Sequence, residues 1–120
     1  MNNLDEKRKF PRLEASLPLR YKELSGNTYL TKGTLTKNIS EGGTRFVIDR
    51  FLSLASHLVL EIKLPMHSKP VKTISKIAWI RKQPTGATYE IGNQFLAMSD
   101  EDESLISKFV KKNIKSTPVA

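Results

Sequence analysis

Apolar residues recur at every second position through most of this chain. In Leu17 to Lys22, Leu17, Leu19 and Tyr21 alternate with Pro18, Arg20 and Lys22, the period of a half-buried strand. Ser25-Gly26-Asn27 is turn chemistry. The run 28–39, rich in Thr, Tyr and Leu, reads as a second strand antiparallel to the first, with Gly33 marking a bulge or bend. A short third strand follows over 44–48. Residues 49–56 form a connection, with Phe51, Leu52 and Leu54 expected over one end of the core. In 57–64 the alternation is clean: Leu58, Leu60, Ile62 and Leu64 inward, His57, Glu61 and Lys63 outward. A fifth strand spans 71–81, with Val71, Thr73, Ser75, Ile77 and Trp79 on one face and Ile74, Ala78 and Ile80 on the other. Gln83-Pro84-Thr85-Gly86 turns the chain into a sixth strand over 89–96.

Beyond residue 99 the period changes to that of a helix. Leu105, Ile106, Phe109, Val110 and Ile114 form one apolar stripe. Ser99 or Asp100 can cap it, and Asp100-x-x-Glu103 resembles a capping box. Acids crowd the first turn and lysines the last, in keeping with the helix dipole. These elements predict an all-β-dominated fold, a six-stranded antiparallel β-barrel with a C-terminal amphipathic helix packed on it. The barrel is expected over 17–98 and the helix over 99–115, with a flexible arm at 1–16 and a disordered tail at 116–120.

At 120 residues the chain is one domain. With no cysteine, disulfides, thiol catalysis and Cys-based zinc sites are excluded. No apolar run approaches the roughly 20 residues of a membrane span, and the N-terminus lacks the apolar core of a secretory signal. The expectation is a cytoplasmic protein. Catalysis fails on inventory. His57 falls on the polar face of a strand and His67 in a proline-flanked loop; no metal-ligand spacing is present, and Ser40 has no base near it in sequence. No catalytic or metal residue is assigned.

The net charge of +8 calls for an anionic partner or a basic surface. Residues 13–98 carry twelve Lys and Arg against six acids, scattered over several strands as solvated faces usually are. The N-terminal cluster Lys7-Arg8-Lys9-Phe10-Pro11-Arg12 is denser. Pro11 pushes Phe10 toward extended backbone, so Arg8 and Arg12 do not share a continuous helix. In an extended or bent segment both guanidiniums can still face one anion, as forks for phosphate or for the O6 and N7 edge of guanine. The second notable stretch is Asn38-Ile39-Ser40-Glu41-Gly42-Gly43. Asn38 and Ser40, two apart, point to one side of an extended backbone. The paired glycines permit positive φ and close approach of a ligand to the backbone. Taken alone, each stretch is a basic tail or a polar turn; together their side chains describe an anion site.

Arg8-x-x-x-Arg12 ahead of a six-stranded barrel, followed by Asn38-x-Ser40-x-x-Gly43 one hairpin later, resembles the PilZ domain family, receptors for the bacterial second messenger cyclic di-GMP. Ile77 to Arg81 and Ile91 to Phe95 resemble the family's later strands. The resemblance covers roughly residues 6 to 114 and implies a ligand clamp. Arg8 and Arg12 would wrap over the dinucleotide, Asn38 and Ser40 would hold a guanine and a phosphate, and Gly43 would keep the turn open. Lys7, Lys9, Gly42 and Trp79 are further candidate contacts. Lys7 sits where the family sets whether one or two ligand molecules bind. Asn38 replaces the commoner Asp, an accepted variant in the family, and an amide cannot accept from both guanine N1–H and N2–H as a carboxylate does, so the departure bears on affinity more than on function. The implied role is a stand-alone receptor and adaptor acting on an effector protein in trans, with cyclic di-GMP as ligand, no other cofactor and no membrane partner. The alternatives are a PilZ-like interaction module without a ligand and a small basic barrel binding single-stranded nucleic acid. The latter calls for exposed aromatics on a strand face, and the aromatics here are few and mostly at inward positions.

Overall fold

A computed structural model describes residues 10–25 and 32–115. Seven strands precede one helix: β1 (Leu13–Glu14), β2 (Pro18–Glu23), β3 (Lys32–Ile39), β4 (Gly43–Ile48), β5 (His57–Ile62), β6 (Val71–Lys82), β7 (Tyr89–Met98) and α1 (Asp100–Lys115). The six longer strands form a closed antiparallel ring in the order β3-β2-β5-β6-β7-β4, with β4 returning to pair with β3. Closure leaves the ring without an edge, which is how a small antiparallel sheet avoids exposing unpaired backbone.

The seventh strand was not legible as one. β1 pairs with β3 through Leu13↔Ile39 and Glu14↔Asn38, beside the point where β2 pairs Pro18↔Leu35. β1 and β2 are therefore one interrupted strand, and Thr36 stitches the break. Its hydroxyl donates to the Ala15 carbonyl at 2.5 Å and accepts from the Leu17 amide at 2.9 Å, while its own amide donates to the Leu17 carbonyl at 2.9 Å. The segment read as an arm through residue 16 thus has its last residues fixed to the strand that ends at Asn38 and Ile39.

The alternation read from sequence holds where the strands are regular. Leu17, Leu19 and Tyr21, then Leu58, Leu60, Ile62 and Leu64, enter one core with Ile39, Phe46 and Ile91. Burial at the core raises the Tyr21 hydroxyl above its ordinary pKa; Asp49 adds to the shift and Arg50 opposes it. The alternation fails at three bulges, one of them at Leu96 on β7 and the other two beside the β3–β4 turn and on β6. At Lys37, between Thr36↔Phe46 and Asn38↔Arg45, the extra residue turns Asn38 to the outer face while Ile39 stays inside. At Ala78, between Ile77↔Asn93 and Trp79↔Gly92, the phase also inverts. Trp79 therefore leaves the face of Val71, Thr73, Ser75 and Ile77, and Ile80 turns inward opposite the buried Ile91. Gly33, expected to mark a bulge, pairs regularly with Arg20. Of the 49–56 connection, Leu52 is buried, whereas Phe51 and Leu54 are exposed, Phe51 meeting Tyr89 edge to face at 5.7 Å.

Ser99 caps α1. Its hydroxyl accepts from the Asp102 amide at 3.1 Å and its carbonyl from the Glu103 amide at 2.9 Å, so of the two expected caps it is Ser99 that serves. The Lys72 amide donates to Asp102 Oδ2 at 3.1 Å, tying the helix start to β6. Ile106 and Val110 complete the core, and α1 packs against β6 and β1. No helix among the described residues is long and apolar enough to cross a membrane.

Candidate functional site

The β3–β4 turn is held by its own side chain. Ser40 Oγ accepts from the Gly42 and Gly43 amides, each at 3.1 Å, while the Ser40 amide donates to the Gly43 carbonyl at 2.8 Å. The Phe95 amide donates to the Gly42 carbonyl at 2.9 Å, fastening the turn to β7. Asn38 is anchored through its carbonyl, which accepts from Thr44 Oγ1 at 2.7 Å. Asn38 and Ser40 both line one cleft of about 310 Å³.

The glycines serve a purpose other than the one the sequence suggested. Among the described residues Gly86 is the glycine with positive φ; Gly42 and Gly43 are not. They are required by close approach. A Cβ on Gly43 would collide with the Asn93 carbonyl oxygen of β7, and one on Gly42 would lie 2.9 Å from the Phe10 ring. Phe10 therefore lies over Gly42 and brings the end of the N-terminal segment to the turn.

The cleft gathers residues from four parts of the chain: Phe10 and Arg12 before β1, Asn38 to Arg45 around the turn, Ala78 and Trp79 at the β6 bulge, and Gly92 to Gln94 on β7. Of the residues expected from sequence, Arg12, Asn38, Ser40, Gly42, Gly43 and Trp79 line it together. Lys7, Arg8 and Lys9 lie outside the described residues. Trp79 reaches the cleft because the bulge turns it outward and because Gly92, opposite it, has no Cβ; one there would overlap the indole. Phe10, Arg45 and Asn93 were not anticipated. Asn93 is buried, its Oδ1 accepting from Ser75 Oγ at 3.1 Å, and its Nδ2 has no partner among the described residues.

One ion cluster borders the cleft. Glu90, with its side chain 6% exposed, meets Arg45 Nε at 2.8 Å and Arg81 at 2.7 Å. The Arg81 guanidinium also lies 5.6 Å from the centre of the Trp79 ring, within cation–π range. Among the described residues no group of His, Asp and Glu is arranged to hold a metal ion.

The sequence matches the PilZ domain family over residues 6–112. The chain belongs to the PilZ family. No curated protein matches it in sequence. Among solved structures it is similar to the Bacillus subtilis inhibitor of motility MotI/DgrA, with TM-score 0.74, 21% identity, 92% of this chain covered and 53% of that one. It is similar to the PilZ domain of Escherichia coli YcgR with c-di-GMP, with TM-score 0.63, 17% identity and 91% and 95% covered. It is also similar to the K. pneumonia MrkH–c-di-GMP complex, with TM-score 0.64, 19% identity and 90% and 52% covered. The chain thus spans about half the length of MotI and of MrkH.

Proposed function

We propose that the chain is a cyclic di-GMP receptor whose ligand occupies the cleft between the N-terminal segment and the β3–β4 turn. In this reading Arg8 and Arg12 clamp the ligand from the arm, and Asn38 and Ser40 hold a guanine edge and a phosphate from the barrel. Gly43 keeps the backbone low beneath them. Trp79 offers an aromatic face for a base. The observation that carries the proposal is the convergence of Arg12, Asn38, Ser40 and Trp79, scattered in sequence, on one cleft. Two structural neighbours, YcgR and MrkH, were solved with c-di-GMP, in keeping with this reading.

Binding would engage the N-terminal segment through Arg12. Because β1 follows Arg12 directly and packs against α1, that engagement would alter the surface beside the helix. An effector protein docking there would sense the ligand, so the chain acts as an adaptor without catalysis. Calorimetric titration with cyclic di-GMP tests the core of this. The wild type binds, and Arg8→Ala/Arg12→Ala loses at least tenfold in affinity, since each charged hydrogen bond contributes about 1.5–3 kcal/mol. A wild type that does not bind, or a double variant that binds equally, overturns it.

A further inference from the structure

Arg12 and Arg45 are the two charged side chains among the described residues lining the cleft. Arg12 immediately precedes β1; Arg45 stands on β4, directly across from Asn38. The geometry points to Arg45 as a phosphate-binding residue of the same cleft, held in place by Glu90 as its positioning residue. This rests on the receptor reading and deepens it.

Three observations carry the assignment. First, Arg45 is tethered at its inner end. Nε sits 2.8 Å from Glu90 Oε2 in an ion pair whose N–H does not point along the contact, and it is buried. The Arg45 side chain stays 30% exposed, and the residue lines the cleft. A guanidinium fixed in this way has less rotamer freedom to lose when it meets an anion. Second, the local charge does not cancel. Had Glu90 paired with Arg45 alone, the two would be neutral together; Arg81 shares the carboxylate, so the cluster of Arg45, Glu90 and Arg81 carries one net positive charge at the rim. Third, Glu90 does not line the cleft, so its carboxylate is kept from opposing an anion directly. A ligand with two phosphates would then meet cations from both sides, one on the arm and one on the barrel.

The experiment is calorimetric titration of cyclic di-GMP at low and high salt. It compares the wild type with Arg45→Met, Arg45→Lys, Glu90→Gln, Arg81→Gln and the Arg45→Met/Glu90→Gln double variant. Thermal unfolding of each confirms that it is folded. The expected results are a loss of about tenfold for Arg45→Met, the size of one charge-assisted contact, and a smaller loss for Arg45→Lys. The salt dependence should flatten in Arg45→Met, because a charged contact to the ligand has gone; a merely structural role would leave that slope unchanged. Glu90→Gln should weaken binding about threefold alone and not at all on the Arg45→Met background, the signature of a residue acting through another. Arg81→Gln leaves Arg45 and Glu90 neutral together and should weaken binding about threefold; unchanged binding would remove the charge argument. If the wild type and Arg45→Met bind within twofold of each other while Arg8→Ala/Arg12→Ala is lost, the assignment is wrong and the receptor reading stands. Additive losses for Arg45→Met and Glu90→Gln remove the positioning role. A wild type that does not bind overturns both readings together.

Discussion

Gly43→Ala is the substitution on which the geometry of the turn can be judged most sharply. The added methyl would overlap the Asn93 carbonyl oxygen and lie 3.2 Å from the Asn93 carbonyl carbon and 3.5 Å from the Gln94 Cα. All three atoms belong to the backbone of β7, so no side chain can swing away to make room. The strands must part where Gly43 faces Gln94 and Thr44 faces Asn93. The Phe95 amide to Gly42 carbonyl bond lies at the same place. Losing one or two backbone hydrogen bonds at about 1 kcal/mol each, with overpacking strain of about 1–2 kcal/mol, predicts a destabilisation of about 2–4 kcal/mol. For a domain of this size that is a fall of roughly 10 °C in Tm. Urea unfolding and thermal scans by circular dichroism measure it, with two other glycines as internal references. Gly33→Ala meets no atom within 4 Å and should be neutral or stabilising by about 0.5–1 kcal/mol. Gly86→Ala also has open space but sits at φ 78°, a strain of about 1–2 kcal/mol. The order of stability should be Gly33→Ala, wild type, Gly86→Ala, Gly43→Ala. A Gly43→Ala protein within 0.5 kcal/mol of wild type would refute the close-approach account.

Three further outcomes follow from particular contacts. Thr36→Val keeps the volume but removes the hydroxyl that bridges Ala15 and Leu17. It should cost about 2–3 kcal/mol, with hydrogen exchange accelerating first at the Leu17 amide; protection unchanged there would show that β1 is held by other means. Ser99→Ala removes the helix cap and should cost about 1 kcal/mol in urea titrations, whereas Asp100→Ala should cost less. Tyr21 is the group for pH dependence. Its folded pKa is raised above 10.0, so the folded state holds its proton more tightly than the unfolded state. Its contribution is complete below pH 10 and is lost as pH rises through the folded value. Comparison of Tm in the wild type and Tyr21→Phe from pH 8 to 11 should show the wild type falling more steeply above pH 10; parallel curves would contradict the burial of the hydroxyl.

Much of this architecture is written in the alternation of side chains, because a barrel strand has a wet face and a dry face throughout. Leu58, Leu60, Ile62 and Leu64 are an example, and the helix stripe ending in Ile106 and Val110 is another. What the alternation cannot convey is a change of phase. Nothing at Lys37 or Ala78 announces a bulge, since either residue suits a regular strand, yet those two insertions turn Asn38 and Trp79 toward the cleft. β1 escaped notice for a related reason: two residues are too few to display a period, and their pairing depends on Thr36, a partner more than twenty positions away. The half of the site made by Asn38, Ser40 and Gly43 was legible because it is contiguous. Arg45 and Gly92 were not, for their meaning comes from Glu90 and Trp79, residues on other strands.

The cleft lies over the junction of β4 and β7, where Gly43 packs under the Asn93 carbonyl and Gly92 under the Trp79 indole. A junction of that kind depends on the absence of side chains at those two positions. Its shape is inherited from the hydrogen-bond ladder, so drift in the surrounding sequence can change the charges at the rim while the mould beneath them stays the same. In the proposed receptor, selectivity and affinity would therefore be free to change at the edges, through residues such as Asn38 and Arg45, independently of the strand junction beneath.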